Sequence, residues 1–105
     1  MANHTIETSG KQCRVTLTGD LTASGIPEIQ AALRKELVPG VTEVVFDLGK
    51  ATTLDSSGIG LLIATSNSLA RQQGRTRVIN VSPDILRLLQ SMRLATRLNA
   101  TGTTA

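Results

Sequence analysis

The residues best suited to chemistry form one short polar segment in the 105-residue chain, the hexapeptide Asp-Ser-Ser-Gly-Ile-Gly at positions 55–60. Its carboxylate and hydroxyl oxygens can accept hydrogen bonds from the unpaired amides of a first helical turn, which indicates the start of a helix. One capping side chain is enough for that purpose. This segment supplies three polar side chains and two glycines that let other groups approach the backbone closely. The excess favours an exposed site where a partner docks or a group is attached.

Patterns typical of catalysis or metal binding are missing from the sequence. A nucleophilic serine needs a base, and the chain's single histidine, His4, lies in a strand pattern with no motif around it. His4 and Cys13 form no ligand pair at metal-binding spacing. Gly49-Lys50 lacks the earlier glycine of a phosphate loop, and Gly58-Ile59-Gly60 lacks the third glycine of a dinucleotide fingerprint. We therefore expect a protein that is not an enzyme and has no metal or cofactor.

The composition fits one compact domain, with 40% hydrophobic and 18% charged residues and no repeat or linker-like stretch. No apolar run approaches the roughly 18 residues of a membrane span, and we expect the protein in the cytoplasm. Residues 1–55 carry five basic and seven acidic side chains, and residues 56–105 carry six basic and one acidic. This asymmetry could serve an acidic partner, although scattered arginines on a soluble surface explain it better because no block of like charges appears. Phe46 is the only aromatic residue, which argues against single-strand nucleic-acid binding, and no segment resembles a helix-turn-helix for duplex DNA. We therefore expect no nucleic-acid partner.

An exposed site at the hexapeptide must be positioned by the elements on either side of it. The hydrophobic pattern predicts a strand before it and a helix after it. The apolar run at 42–48 predicts a buried strand, and the helical stripe that begins at Ile59 ends near Gly74. Together with the other patterns, this predicts an α/β fold of a single domain, with a mixed four- to five-stranded sheet and about three amphipathic helices. The other predicted elements are a hairpin of strands 4–8 and 12–18 turning at Gly10, a helix from Ile26 to Leu37 behind the possible cap Ser24, a strand at 76–81, a helix starting at Ser82-Pro83-Asp84, and a short edge strand at 97–100.

The sequence also resembles a known family. The signature of STAS domains, especially of the bacterial anti-sigma-factor antagonists, resembles two segments of this chain. The first is Val-Val-Phe-Asp-Leu at 44–48, and the second, six residues later, is the hexapeptide followed by Leu61-Leu62. The resemblance extends over residues 12 to about 95, because 15–21 is similar to the family's second strand and loop and 78–83 to its later strand and helix start. It implies a single STAS-like domain over 1–105, with a core at about 4–99 and a flexible tail at 100–105.

In that family, the serine directly after the aspartate is phosphorylated by a kinase that is also the anti-sigma factor, and a serine phosphatase reverses this. By position, the phosphoacceptor is Ser56. The resemblance therefore implies an anti-sigma-factor antagonist that sequesters its anti-sigma factor serine kinase when unphosphorylated and so regulates transcription. The alternative is a STAS subunit of another assembly, such as a chemosensory kinase system or a lipid transporter. We expect partner contacts at two helix starts. The first consists of Asp55, Ser56, Ser57 and Gly58. The second consists of Asp20, Thr22, Ser24 and Gly25, and it is equally explained as an ordinary helix start.

Overall fold

The computed structural model describes residues 4–17, 19, 25–36, 40–51 and 54–102. Within these ranges the chain forms one five-stranded sheet and three α-helices, which confirms the expected fold class. None of the helices in the described ranges is long and apolar enough to cross a membrane. In chain order the elements are β1 (His4–Ser9), β2 (Gln12–Leu17), α1 (Ile26–Glu36), β3 (Glu43–Asp47), α2 (Ser56–Ala70), β4 (Arg75–Val81), α3 (Pro83–Ser91) and β5 (Ala100–Gly102).

The strands lie side by side in chain order, so each connection joins two neighbours. A tight turn, in which Gly10 has a φ of 60°, pairs β1 antiparallel with β2, as the sequence predicts. All other neighbouring strands are parallel and are joined through a helix. Since such crossovers are right-handed and all advance in the same direction across the sheet, the three helices lie on one face.

The hydrophobic core lies between that face and the helices. Alternate residues of the central strands, among them Val15, Phe46 and Val78, are fully buried there. Leu62 of α2 and Leu89 of α3 are buried against them. The opposite face of the sheet is largely polar but includes the buried Val45. Its polar side chains include Gln12, Arg14, Glu43, Arg75 and Arg77.

The last strand differs from the expectation. It lies at Ala100–Gly102 instead of 97–100, inside the stretch that was assigned to a flexible tail. The reason is local turn structure: Leu98 donates a backbone hydrogen bond to Leu94 at 2.9 Å, and Ala100 donates one to Ala95 at 2.8 Å. Asn99 then takes a positive φ of 50°, which redirects the chain into the strand. Residues 103–105 lie outside the described ranges.

Helix α2 ends at Ala70, the last residue of the predicted helical stripe, and Gly74 closes the turn that follows it. The backbone N–H of Gly74 donates to the carbonyl of Leu69 at 2.7 Å, and Gln73 has a positive φ of 60°. These features form a helix-terminating turn, which hydropathy alone does not reveal. The possible cap Ser24 and the helical position Leu37 lie outside the described residues, so the prediction for both ends of α1 stays a prediction.

Candidate functional site

The start of α2 is set by its N-cap, Asp55. This residue has an extended backbone with φ of −94° and ψ of −179°, and its Oδ1 accepts a hydrogen bond from the Gly58 N–H at 3.0 Å. Its carbonyl oxygen accepts from the Ile59 N–H at 3.0 Å, which is the first bond of the helix. Ser56 is therefore the first helical residue. The prediction of a capped helix start at this segment is confirmed.

The two serines of the segment face the solvent. Ser56 and Ser57 are both exposed, whereas Gly58 and Ile59 are buried and Asp55 is half-buried. The first turn of α2, whose residues are all described, contains no acidic side chain beyond the cap. Exposure alone does not distinguish the two hydroxyls. What the geometry provides is an accessible hydroxyl pair at the positive end of a helix dipole.

The exposed face of α2 continues this surface with small side chains. Gly60, Ala64 and Ser68 follow Ser56 at helical spacing, and all are exposed. The opposite face is held in the core by residues such as Leu62 and Leu69, which are 0% and 1% exposed. The start of the helix is thus fixed by burial while its outer side stays open to a partner.

The connection from β3 to α2 is anchored by Asp47, the last residue of β3. Its Oδ1 accepts hydrogen bonds from the Gly49 N–H at 2.9 Å and from Asn80 Nδ2 at 3.1 Å, and its Oδ2 pairs with an Arg14 guanidinium nitrogen at 2.9 Å. Burial by itself raises the pKa of Asp47. The hydrogen bonds from Gly49, Asn80 and Arg14 outweigh that effect and hold the pKa below its usual value. Asp47 therefore ties β2, β3 and β4 together where the chain leaves the sheet toward Ser56.

Sequence reasoning missed this network. Asp47 followed closely by Gly49 is a possible signal, since a carboxylate often accepts a hydrogen bond from an amide two residues on. Nothing in the sequence indicates that Asn80 adopts a left-handed φ of 57° and directs its amide at Asp47. Arg14 is part of an alternating strand pattern, and its partner lies 33 residues away.

The second predicted contact surface is only partly described. Gly25 is half-buried and lies directly before α1. Asp20, Thr22 and Ser24 lie outside the described residues. The structure brings Asp55, Ser56, Ser57 and Gly58 together in one turn, and the assignment of all eight residues to partner contact stays a prediction.

Potential metal ligands are dispersed across the described part of the chain. Within it, no group of three or more His, Cys, Asp or Glu side chains is placed to hold a metal ion. Cys13 is a free, fully buried thiol, and burial raises its pKa, although the nearby Thr8 side chain lowers it and Glu36 raises it further. A raised pKa disfavours the reactive thiolate.

Comparison with known proteins identifies the family. Residues 4–100 match a family model described as "Mlab, STAS domain". The chain belongs to the STAS domain family. This STAS domain is 30% identical over 77 residues to the anti-sigma F factor antagonist of Lysinibacillus sphaericus, in an alignment that covers 72% of the chain and 66% of that relative, slightly less than two thirds of its length. It is 28% identical over 83 residues to the anti-sigma-B factor antagonist of Staphylococcus aureus, with 79% of the chain and 77% of the relative covered.

Solved structures confirm the STAS fold. The domain superposes on the anti-sigma factor antagonist SpoIIAA in its unphosphorylated form with a TM-score of 0.83 at 23% identity, covering 96% of this chain and 88% of SpoIIAA. On the phosphorylated form of SpoIIAA, a Bacillus cell fate determinant, the TM-score is 0.78 at 23% identity, with 96% and 91% covered. It also superposes on 17% of the murine anion transporter Slc26a9, with a TM-score of 0.73 at 10% identity and 93% of this chain covered. The same fold thus occurs both as a small protein and within a much larger one.

Proposed function

We propose that this STAS domain is an anti-sigma-factor antagonist, a protein-binding module switched by phosphorylation of Ser56. The observation that carries the proposal is the exposed Ser56 hydroxyl at the first position of a helix capped by Asp55. The relatives named as anti-sigma factor antagonists support it. In its unphosphorylated form the module sequesters an anti-sigma factor serine kinase in the cytoplasm and thereby regulates transcription, and a serine phosphatase restores that form.

The fold tolerates a phosphate at this position. Phosphorylation of Ser56 adds about −1.5 to −2 charges at a helix amino terminus, where the dipole provides roughly 0.3 to 1 kcal/mol of attraction. Repulsion from the neighbouring Asp55 carboxylate opposes this by about 1 kcal/mol through water at close range. The two effects are similar in size, so the start of α2 persists after modification.

The bound partner does not tolerate the phosphate. Any protein that packs over Ser56 must remove water from a dianion, at an effective cost of several kcal/mol unless it supplies arginines of its own. A change of about 1.4 kcal/mol already weakens binding tenfold. Phosphorylation therefore releases the partner without unfolding the domain. The proposed action is binding and involves no turnover by this chain.

Affinity capture from the native cytoplasm tests the proposal. Wild type and Ser56→Asp are compared, with Ser68→Asp as the matched control because Ser68 is exposed on the same helix about three turns away. The expected result is that wild type and Ser68→Asp recover a histidine-kinase-like ATPase and Ser56→Asp does not. Equal recovery by all three variants contradicts the switch.

The acceptor residue is tested separately. The captured ATPase is incubated with ATP and the domain, and mass spectrometry locates the phosphate in wild type, Ser56→Ala and Ser57→Ala. Modification of wild type and Ser57→Ala, but not of Ser56→Ala, is expected. Phosphate found only on Ser57 contradicts the assignment.

A second candidate function is a STAS subunit of another assembly, such as a chemosensory kinase system or a lipid transporter. Two observations favour it: the matching family model carries the name Mlab, and the fold is also part of the anion transporter Slc26a9. Capture of a stable complex that contains no histidine-kinase-like ATPase and is unaffected by Ser56→Asp supports this candidate over the first.

A further inference from the structure

A groove of about 490 Å³ runs beside β5, between β4, α3 and the turn that precedes β5. Arg75 and Arg77 supply its cationic part, and Gln90 and Thr96 are among its neutral polar side chains. Leu86 and Ala95, both partly buried against the core, add apolar surface. No aspartate or glutamate is among the described residues that line it. The groove is therefore positively charged with an apolar component.

The groove exists because β5 is short. It pairs with β4 at Val78 and Val81, with an irregular register between them, and leaves the first half of β4 without a neighbouring strand on the side opposite β3. The Asn99 side chain replaces that strand by donating a hydrogen bond to the Thr76 carbonyl at 2.9 Å. The Thr76 carbonyl at the sheet edge thus has a hydrogen-bond donor, while the space beside this edge stays open.

The two arginines of the groove differ in their partners. Arg75 donates to a Glu43 carboxylate oxygen at 2.7 Å, although its side chain is 65% exposed. Arg77 is half-buried and forms no ion pair with any residue in the described ranges, while its charge helps to lower the pKa of Glu43. That lowering is caused first by the hydrogen bond from Gln12. Arg77 is therefore the cation of this groove that is available to a ligand.

A smaller groove of about 280 Å³ adjoins the first and shares Gln90 and Thr96 with it. It adds the exposed Arg93, and no acidic residue lines it in the described part of the chain either. Guanidinium groups consequently flank a common polar wall. Unpaired positive charge that borders a concave surface is a feature that recognises anions.

We propose that this groove binds a small phosphate monoester. The guanidinium fork matches phosphate oxygens in geometry, and side-chain amides and hydroxyls such as those of Gln90 and Thr96 complete the hydrogen bonding. The volume falls within the range of roughly 300 to 1,000 Å³ that small-molecule sites occupy. None of residues 55–58 lines the groove, so this binding site is separate from the Ser56 surface and does not depend on the function proposed for it.

A titration followed by two-dimensional NMR tests the proposal, with glycerol phosphate as the probe and glycerol as the uncharged reference. Glycerol phosphate is expected to shift the amide signals around Arg77, Gln90 and Thr96, and glycerol is not. Loss of one charge-assisted contact in Arg77→Gln is expected to lower affinity roughly tenfold. The matched control is Arg87→Gln, because Arg87 pairs with Asp84 on the surface of α3 and does not line either groove. Shifts of equal, non-zero size with glycerol phosphate and with glycerol, or an unchanged affinity in Arg77→Gln, overturn the proposal.

Two further measurements complete the test. Thermal unfolding checks that Arg77→Gln is folded; if it is not, the exposed Arg93→Gln variant replaces it and is expected to weaken binding severalfold, and no weakening overturns the proposal. Co-sedimentation with phosphatidylcholine vesicles, with and without phosphatidic acid, distinguishes the source of the phosphate. Binding to phosphatidic acid vesicles alone identifies a lipid headgroup, and binding to glycerol phosphate alone identifies a free metabolite. Absence of binding to both probes overturns the proposal.

Discussion

The Asp55 carboxylate accepts a hydrogen bond from the Gly58 backbone N–H at 3.0 Å and so fixes where α2 begins. This contact spans the two serines of the segment and determines which of them is the first helical residue. Ser56 is held at the amino terminus of the helix with its side chain exposed. A structural cap and an accessible hydroxyl are thus provided by adjacent residues, so the two roles can be separated by mutation.

Replacing the cap is expected to destabilise the fold. Asp55→Ala removes the acceptor for Gly58 and should lower the free energy of unfolding by about 1 kcal/mol, within the usual range of roughly 0.5 to 2 kcal/mol for lost N-caps. Asp55→Asn is the control because asparagine caps nearly as well as aspartate. Urea denaturation measures both variants. If Asp55→Ala and Asp55→Asn are equally stable, the cap is not what holds this helix start.

A negative charge at Ser56 is expected to leave the domain folded. In Ser56→Asp the helix dipole attracts the new carboxylate and Asp55 repels it, so the free energy of unfolding should stay within about 1 kcal/mol of wild type. Urea denaturation and circular dichroism check this. A loss of several kcal/mol would mean that phosphorylation acts by unfolding α2 and not by excluding the partner.

The start of α2 could be predicted from sequence because its determinants are local. A buried apolar strand, a capping aspartate and a helical stripe all lie between residues 44 and 70, and each is visible in composition and spacing. The same holds for the hairpin at Gly10 and for the capped start of α3, where Ser82 Oγ accepts from the Ile85 N–H at 3.3 Å. Elements whose structure is determined by interactions between residues close in sequence can therefore be predicted from the sequence.

The contacts that anchor the site could not be predicted, because they depend on strand register. Arg14 lies opposite Val45, and it reaches Asp47 diagonally across the β2–β3 pair. Asn80 reaches Asp47 from a left-handed position within β4, where the pairing with β5 shifts register. The displacement of β5 to Ala100–Gly102 has a similar cause, since turn hydrogen bonds before it carry no hydropathy signal.

The Asp47 network predicts an acid dependence of stability. Because the pKa of Asp47 is lower in the folded state than its usual value, its contribution is present above about pH 4 and is lost as the pH falls through the folded-state pKa. Asp47→Asn should lower the free energy of unfolding at neutral pH by about 1 kcal/mol and flatten its decline in acid. Urea denaturation across this pH range measures both effects.

Part of the acid dependence should persist in Asp47→Asn. The pKa of Glu43 is also lowered, first by the hydrogen bond from Gln12 and further by Arg75, while burial opposes them. Glu43→Gln therefore serves as the comparison. An acid profile of Asp47→Asn identical to that of wild type would show that the network around Asp47 does not contribute.

Gly60 offers a test that separates folding from partner binding. It lies within α2, is exposed, and a Cβ added to it meets no atom within 4 Å. The fold therefore gains from a side chain here, and Gly60→Ala should raise the free energy of unfolding by roughly 1 kcal/mol. The same methyl group stands on the helix face that carries Ser56, where it would meet a partner that packs closely on this face in the proposed complex. We expect weaker capture of the proposed kinase partner together with higher stability in urea.

Gly74→Ala provides the contrasting control for Gly60→Ala. A Cβ at Gly74 would lie 2.6 Å from the Thr42 carbonyl oxygen, which is backbone and cannot move aside easily. This variant should lose about 1 to 3 kcal/mol of stability from overpacking, while the folded fraction should bind the partner as wild type does. Higher stability with weaker binding in Gly60→Ala, together with lower stability and unchanged binding in Gly74→Ala, would show that Gly60 is required by the partner and not by the fold. Unchanged capture by Gly60→Ala would remove this helix face from the proposed interface.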